Sequence, residues 1–388
     1  MHSGKAVFAH LVAGIHPEHF RRCVTRYHGH YKVQHFSCWD QFLAMAFAQV
    51  TFRDSLADIA ICLRSRREQL YHLGFRSAVA QSTLADANRS RDWRIYADLA
   101  AGLIRRARAL YADEPLGLEL DHTLYALDST TIDLCLSLFP WARFRPTKAA
   151  IKLHTLLDLR GPIPTMLAIS EGKQADVRIL DELPLEPGAF YVMDRGYVDF
   201  ARLYRFTLAA AFFVTRTKAG IQFSRLESRP VDRSTGLRSD HIVWLTTAHS
   251  AAHYPERLRR VSYRDPADGK VLVFLTNNFE LPALVIAQLY KLRWRVELCF
   301  KWIKQNLRIK PFFGTSENAV KTQVWIAVCV YVLAAIHRKE HRVALSLSQM
   351  LPIVSVNAFE PVPLAELFAN IGSCDETVSP RNQLMLLD

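Results

Sequence analysis

Long apolar runs are missing from this chain. The longest, Val324 to Ile336, holds 13 residues, too few for a hydrocarbon core of about 30 Å, so it reads as a buried helix and no membrane span is expected. The seven cysteines, Cys23, Cys38, Cys62, Cys135, Cys299, Cys329 and Cys374, form no Cys-x-x-Cys pair. That argues against a disulfide scaffold and suits a reducing, cytoplasmic setting. The opening MHSGKAVFAHLVAGIHPEHF has its apolar stretch broken by His10, so no signal peptide is expected. Acidic groups are scarce beside basic ones: 37 Asp and Glu against 49 Lys and Arg leave a net charge of +12, which points to a polyanionic partner. Residues 1–112 hold 16 of the basic and 8 of the acidic groups, or +8 of the +12. A nucleic-acid-binding module is therefore expected at the N-terminal end. With 388 residues, half of them hydrophobic, the chain can build two or three domains with real cores.

Periodicity divides the chain. Up to about residue 115 the apolar spacing is helical: Trp39 to Val50, Ser55 to Leu63 behind an Asp54/Ser55 cap, and Trp93 to Tyr111. Between them, SAVAQSTLADANRSRDW resembles a helix-turn-helix reader, with Ser82, Thr83, Asn88, Arg89 and Arg91 placed for phosphates and base edges. From Leu118 the runs become short and β-rich: LYALDSTTIDL, IKLHTLLDL and PIPTMLAIS, then a helical DVRILDEL, a strand AFYVMD, a helical VDFARLYRFTLA and a strand AFFVTRTK. That order is one of a ribonuclease H-like α/β layer. Alternating runs between 219 and 281 (HIVWLTT, RLRRVSYRD, KVLVFLTNN) read as an inserted β subdomain. The expected architecture is an all-helical DNA-binding domain (1–115), an α/β core in two parts (116–218 and 282–340) interrupted by that insertion, and a C-terminal tail (341–388).

In LYKLRWRVELCFKWIKQNLR, residues Tyr290, Arg293, Glu297 and Lys304 project within about 60° of one another on a helix. This stripe offers an aromatic hydroxyl, two cations and a carboxylate, a set suited to a phosphodiester: carboxylates hold a metal and cations hold phosphates. The plain alternative is a solvated helix with an Arg293–Glu297 ion pair. Upstream, Asp128 stands in the apolar YALD and Asp194 ends YVMD. A carboxylate within a buried strand must be paired or metal-bound. Three carboxylates from three separated segments are what a site for two divalent ions requires.

Asp128-Ser129-Thr130, Asp194-Arg195-Gly196-Tyr197 and the Tyr290, Arg293, Glu297, Lys304 spacing resemble the D, D and Y-R-E-K signatures of DDE transposases of the insertion sequence 4 family. The resemblance runs over roughly residues 120–340. It implies Mg²⁺-dependent cleavage, with Mn²⁺ as a substitute, at the inverted repeats of an element, through a hairpin, and joining of the 3′-OH ends to target DNA. It further implies that Asp128, Asp194 and Glu297 hold two metal ions, that Tyr290, Arg293 and Lys304 grip phosphates, and that a homodimer assembles on double-stranded DNA. The competing readings are a repressor or architectural protein descended from such an enzyme, and a metal-dependent nuclease without strand transfer.

Other residues extend the candidate DNA path. Lys152 and His154 share a face of the strand beside Asp128 and could reach the scissile phosphate, or could be structural. Trp244 could stack on a base flipped from the DNA end, or pack in the core. Arg216 and Lys218 alternate onto one face of their strand. A zinc site from Cys23, His28, His30, His35 and Cys38 lacks the usual paired spacing.

Overall fold

A computed structural model describes residues 4–116, 118, 122–161, 163–306 and 312–372, with side chains except over 301–306 and 370–372. The chain divides into two compact units, Met1–Leu110 with Trp302–Asp388, and Tyr111–Lys301.

The first unit is helical. Its N-terminal helices are α1 (Val7–Val12), α2 (Pro17–Arg26), α3 (Cys38–Val50), α4 (Leu56–Ser65), α5 (Gln81–Ser90) and α6 (Arg94–Tyr111). The cap read at Ser55 is present, its side chain accepting from the Asp58 N–H, and Ser37 with Asp40 closes a full capping box on α3. Such caps satisfy orphan N–H groups worth about 1 kcal/mol each. Helix α3 has no polar face: every residue from Phe42 to Val50 is buried, Gln49 included. Its partner is the long helix Glu317–Glu340, which is long and apolar enough to cross a membrane yet is buried here against other helices of this unit. That helix falls in the helical unit, where 282–340 was expected to complete the catalytic core. An apolar surface all round needs helices on several sides, and residues of α1 and α3 supply them. The tail beyond it also contains helices, Leu347–Val356 and Leu364–Gly372.

The second unit is a sheet with helices. Its strands are β1 (Leu124–Leu134), β2 (Arg143–Arg145), β3 (Lys148–Asp158), β4 (Ile163–Glu171), β5 (Phe190–Met193), β6 (Phe212–Arg216), β7 (Phe223–Arg229), β8 (Leu237–Leu245), β9 (Leu258–Arg264) and β10 (Val271–Thr276). Its helices are α7 (Phe200–Leu208), α8 (Ala248–His253), α9 (Ala283–Leu292) and the first turns of α10 (Trp294–Asn306). Among the described residues all the strands join one sheet in the order β2-β3-β1-β5-β6-β10-β9-β8-β7, with β4 on β3. β1, β5 and β6 are parallel, and the remaining pairs antiparallel. The run 219–281 is therefore no separate subdomain. β10 pairs with β6 and carries the sheet onward, which covers the edge that β6 would otherwise expose. The DVRILDEL segment, expected as a helix, is a 3₁₀ stretch, Asp176–Asp181. One face of the sheet buries Leu127, Met193, Phe213, Val243 and Leu275 with Leu203 and Phe206 of α7. α9 covers the other face, where the Tyr290 and Phe274 rings pack 4.9 Å apart.

Candidate active site

Register fixes which side chains meet. Leu127, Met193, Thr215, Leu275 and Arg260 are successive cross-strand partners. One residue further along, Asp128, Asp194 and Arg216 thus share the opposite face, where α9 lies. Asp128 is the last inward-facing group before β1 passes the end of β5. Asp194 follows β5 directly and has its backbone carbonyl bonded by the Thr215 hydroxyl at 3.2 Å.

The helical stripe meets this face, in a form that differs from the continuous helix expected. α9 stops at Leu292 and α10 begins at Trp294, with Arg293 between them in i→i+3 bonds to Tyr290 and Val296. The tightened turn aims Arg293 at the sheet. Its guanidinium bridges Asp128 at 2.5 Å and Glu297 at 2.6 Å. The Tyr290 hydroxyl donates to Asp194 Oδ1 at 3.1 Å. Asp128, Asp194, Tyr290 and Arg293 are half-buried or buried, whereas the Glu297 side chain is 54% exposed. The Lys304 side chain lies outside the described residues.

Electrostatics follow from this packing. Burial pushes the Asp128 pKa up; Arg293 pulls it down, and Glu297 and Asp194 push it up again. Burial opposes the charge on Arg293, but Tyr290, Asp128 and Glu297 outweigh it and raise its pKa. The Tyr290 hydroxyl is pushed up to about 12, by burial first and by Asp194, so it is a donor at any working pH.

Among the described residues no three His, Cys, Asp or Glu side chains are grouped to hold a metal ion; the cation between Asp128 and Glu297 is Arg293. The donor set nevertheless fits a hard divalent ion. It is all carboxylate oxygen, burial and then its like charges raise the Asp128 pKa, and one buried oxygen beside it, Thr155 Oγ1 across the strand, has no hydrogen-bond partner. The zinc reading has no support in geometry. Cys38 sits buried at the start of α3 and donates to the Gly29 carbonyl at 3.2 Å.

Other candidates fall elsewhere. Lys152 and His154 pair across from Thr131 and Ser129, so they face away from Asp128; Thr155 is its partner. A side-chain period of two decides this, and adjacency of strands alone does not. Lys152 is held by Asp176 at 3.0 Å and the Gln174 carbonyl at 2.8 Å, and His154 by Ser170 at 2.8 Å. Trp244 is 39% exposed on β8, outside the core, and four residues along its strand from Asp240, the β8 position level with Asp194. In the helical unit, Asn88 is buried against Gln41 at 2.8 Å, and Arg91 donates to the carbonyls of Phe36 and Ser37 and to Gln41. Neither is a surface reader. Arg89 is exposed and pairs with Asp86 at 2.7 Å.

Register also reveals groups that composition did not. Tyr197 is buried next to Ser129, though its hydroxyl does not reach hydrogen-bond geometry, and its ring belongs to the apolar cluster that includes Leu127 of β1. Asp240 and Arg259 form a buried bidentate pair at 2.9 and 2.7 Å.

Comparison with known proteins agrees with this chemistry. A family model described as "Transposase DDE domain" matches residues 119–333, and one described as "Domain of unknown function (DUF4372)" matches residues 3–76. The chain is 32% identical over 295 residues, 74% of its length and 80% of the relative's, to "Putative transposase y4zB" of Sinorhizobium fredii (strain NBRC 101917 / NGR234). It is 33% identical over 212 residues, 54% of its length and 55% of the relative's, to "Probable transposase for insertion sequence element IS5377" of Geobacillus stearothermophilus. Among solved structures, a piggyBac transposase chain from a synaptic complex with hairpin DNA gives a TM-score of 0.47 at 10% identity, over 97% of this chain and 84% of that one. With the family model spanning more than half of the chain, and a relative matched over most of both lengths, this chain belongs to the DDE transposases and is a DDE-type DNA transposase.

Proposed function

We propose that the enzyme is the transposase of an insertion sequence of the insertion sequence 4 branch, built on a ribonuclease H-like core, and that it cleaves the inverted-repeat ends of its element and joins their 3′-OH groups to target DNA. The observation that carries this reading is the placement of Asp128 and Asp194 on one level and one face of adjacent parallel strands, with Glu297 reached through Arg293. The strand order β4-β3-β1-β5-β6, with β1, β5 and β6 parallel, supports the core assignment.

In this reading Asp128, Asp194 and Glu297 would hold two Mg²⁺ ions, replaceable by Mn²⁺, and these would supply activation of the attacking oxygen and stabilisation of the leaving 3′ oxygen. Arg293, which neutralises two of the carboxylates in the free protein, would become available to a phosphate, with the charge that a guanidinium carries at any working pH. Tyr290 orients Asp194 by its hydrogen bond and offers an uncharged donor at the cleavage point. Lys304 belongs with the phosphate-gripping set by its spacing. A homodimer on double-stranded DNA would bring two ends together, hairpins would be the excision intermediates, and the protein would work on the nucleoid in the cytoplasm.

The test supplies a labelled fragment carrying the element's own terminus, a target plasmid and Mg²⁺, and resolves the products on denaturing gels. Hairpins and joined DNA are expected. Nicked DNA alone would reduce the protein to a nuclease, and binding without cleavage under any divalent metal would make it a repressor.

A further inference from the structure

The sheet unit carries a second charged site, on the face turned away from the carboxylates. A cleft of about 690 Å³ is lined by the loop after β6 (Thr217, Lys218, Gly220, Ile221) and by Phe223, Arg225, His241, Val243 and Arg260. Four of these side chains are basic, and no carboxylate lines the cleft. Among the described residues Arg225 and Arg260 pair with no acid; Asp240 is engaged by Arg259, and Glu227 lies 3.7 Å from Arg229. Lys218 is fixed by a 2.9 Å bond to the Val198 carbonyl, so its ammonium is held at the rim.

Clustered unpaired cations are costly to hold together, and natural surfaces usually intersperse both signs. Their persistence around a concave, partly apolar floor fits an anionic ligand that supplies the missing charge. The His241 pKa is depressed, by burial first and then by Arg225 and Arg260, with only Asp240 opposing; a bound phosphate would relieve that repulsion.

We propose that this cleft clamps the phosphate backbone of duplex DNA at a distance from the cleaved bond. Arg260 and His241 share the cross-strand level of Met193, the residue before Asp194. β8 lies four strand spacings from β5 in the sheet order, or roughly 19 Å at about 4.8 Å per strand. At 3.4 Å per base along one strand, that is about five or six base pairs. The loop after β6 runs past the strand ends from Arg216, on the carboxylate face, to Lys218 at the cleft. A duplex laid across these ends meets the active site on one side and the clamp on the other. The chemistry selects charge and spacing, so the clamp reads no sequence and serves any duplex.

This inference rests on the enzyme acting on DNA, and the two can fail separately. The experiment measures binding of the full chain to a labelled duplex of arbitrary sequence across a series of salt concentrations, for wild type, Arg225→Gln and the Arg225→Gln/Arg260→Gln double variant, with circular dichroism to verify folding. Each lost phosphate contact lowers the slope of log K against log salt by about 0.9. The double variant is expected to lose about 2 from the slope, and the single variant, on an exposed edge strand, about 1. Unchanged slopes in folded variants would overturn the clamp even if the wild type cleaves its terminus. Reduced slopes in a protein that never cleaves would keep the clamp and overturn the cleavage reading.

Discussion

Particular cations of the two units are held differently. In the helical unit several basic groups are consumed internally: Arg91 is tied to the carbonyls of Phe36 and Ser37, Arg26 to Asp98, and Arg106 to Glu340 and the Gly14 carbonyl. In the sheet unit Arg216, Arg225 and Arg260 have no acidic partner among the described residues, whereas the buried Arg259 is fully engaged by Asp240 and two carbonyls. The N-terminal third holds most of the net charge, yet the sheet unit holds these unpaired cations. Net charge counted along a sequence thus says less about where a polyanion docks than the pairing of each cation does.

The comparison is broken most severely at Arg259. Asp240→Ala leaves that guanidinium buried without a counter-charge, so the sheet unit should lose about 3–5 kcal/mol and melt first, as read by urea denaturation; a loss below 1 kcal/mol would show that Asp240 is dispensable there. Arg91→Gln should cost the helical unit about 1–3 kcal/mol through unmet carbonyls while leaving the salt slope of DNA binding unchanged. A fall in slope would return Arg91 to the DNA surface.

A pH series sharpens the contrast. Burial, foremost, and the neighbours His341 and Arg106 depress the His337 pKa below its ordinary 6.5, with the Leu11 carbonyl and Glu340 opposing. The unfolded chain then binds the proton more readily below pH 6.5, so stability falls as pH drops through that value and is level above it. His337→Gln should flatten that dependence in thermal melts between pH 7.5 and 5.5. An unaltered profile would locate the acid sensitivity elsewhere, His154 being the buried histidine of the sheet unit. The smallest effect is expected at Arg89, exposed and paired with Asp86 across one helical turn: Arg89→Gln should shift stability by less than about 0.5 kcal/mol.

Local patterns were readable from the residues alone. The cap at Ser55, the helical spacing of α3 and α6, and the strand runs around Asp128 and Asp194 all announce themselves within a dozen residues. What depends on pairing was hidden. The facing of Lys152 and His154 needs the β1–β3 register, and a shift of one residue would reverse it. The joining of β10 to β6 needs to know which edge is free. The Arg293–Glu297 pair follows from helical spacing, but the second partner of Arg293, Asp128, lies 165 residues away and no helical periodicity records it. Asn88 and Arg91 looked like surface groups because their partners lie some 50 residues upstream.

The central claim is that Asp128, Asp194 and Glu297 act as one catalytic set. The direct measurement compares wild type with Asp194→Ala and Glu297→Ala on a labelled duplex ending in the element's own terminus, in Mg²⁺ and in EDTA, with binding followed in parallel. Cleavage should be lost in both variants and in EDTA, while binding of the terminus stays within a few fold of wild type. Cleavage that persists in the folded variants would contradict the claim.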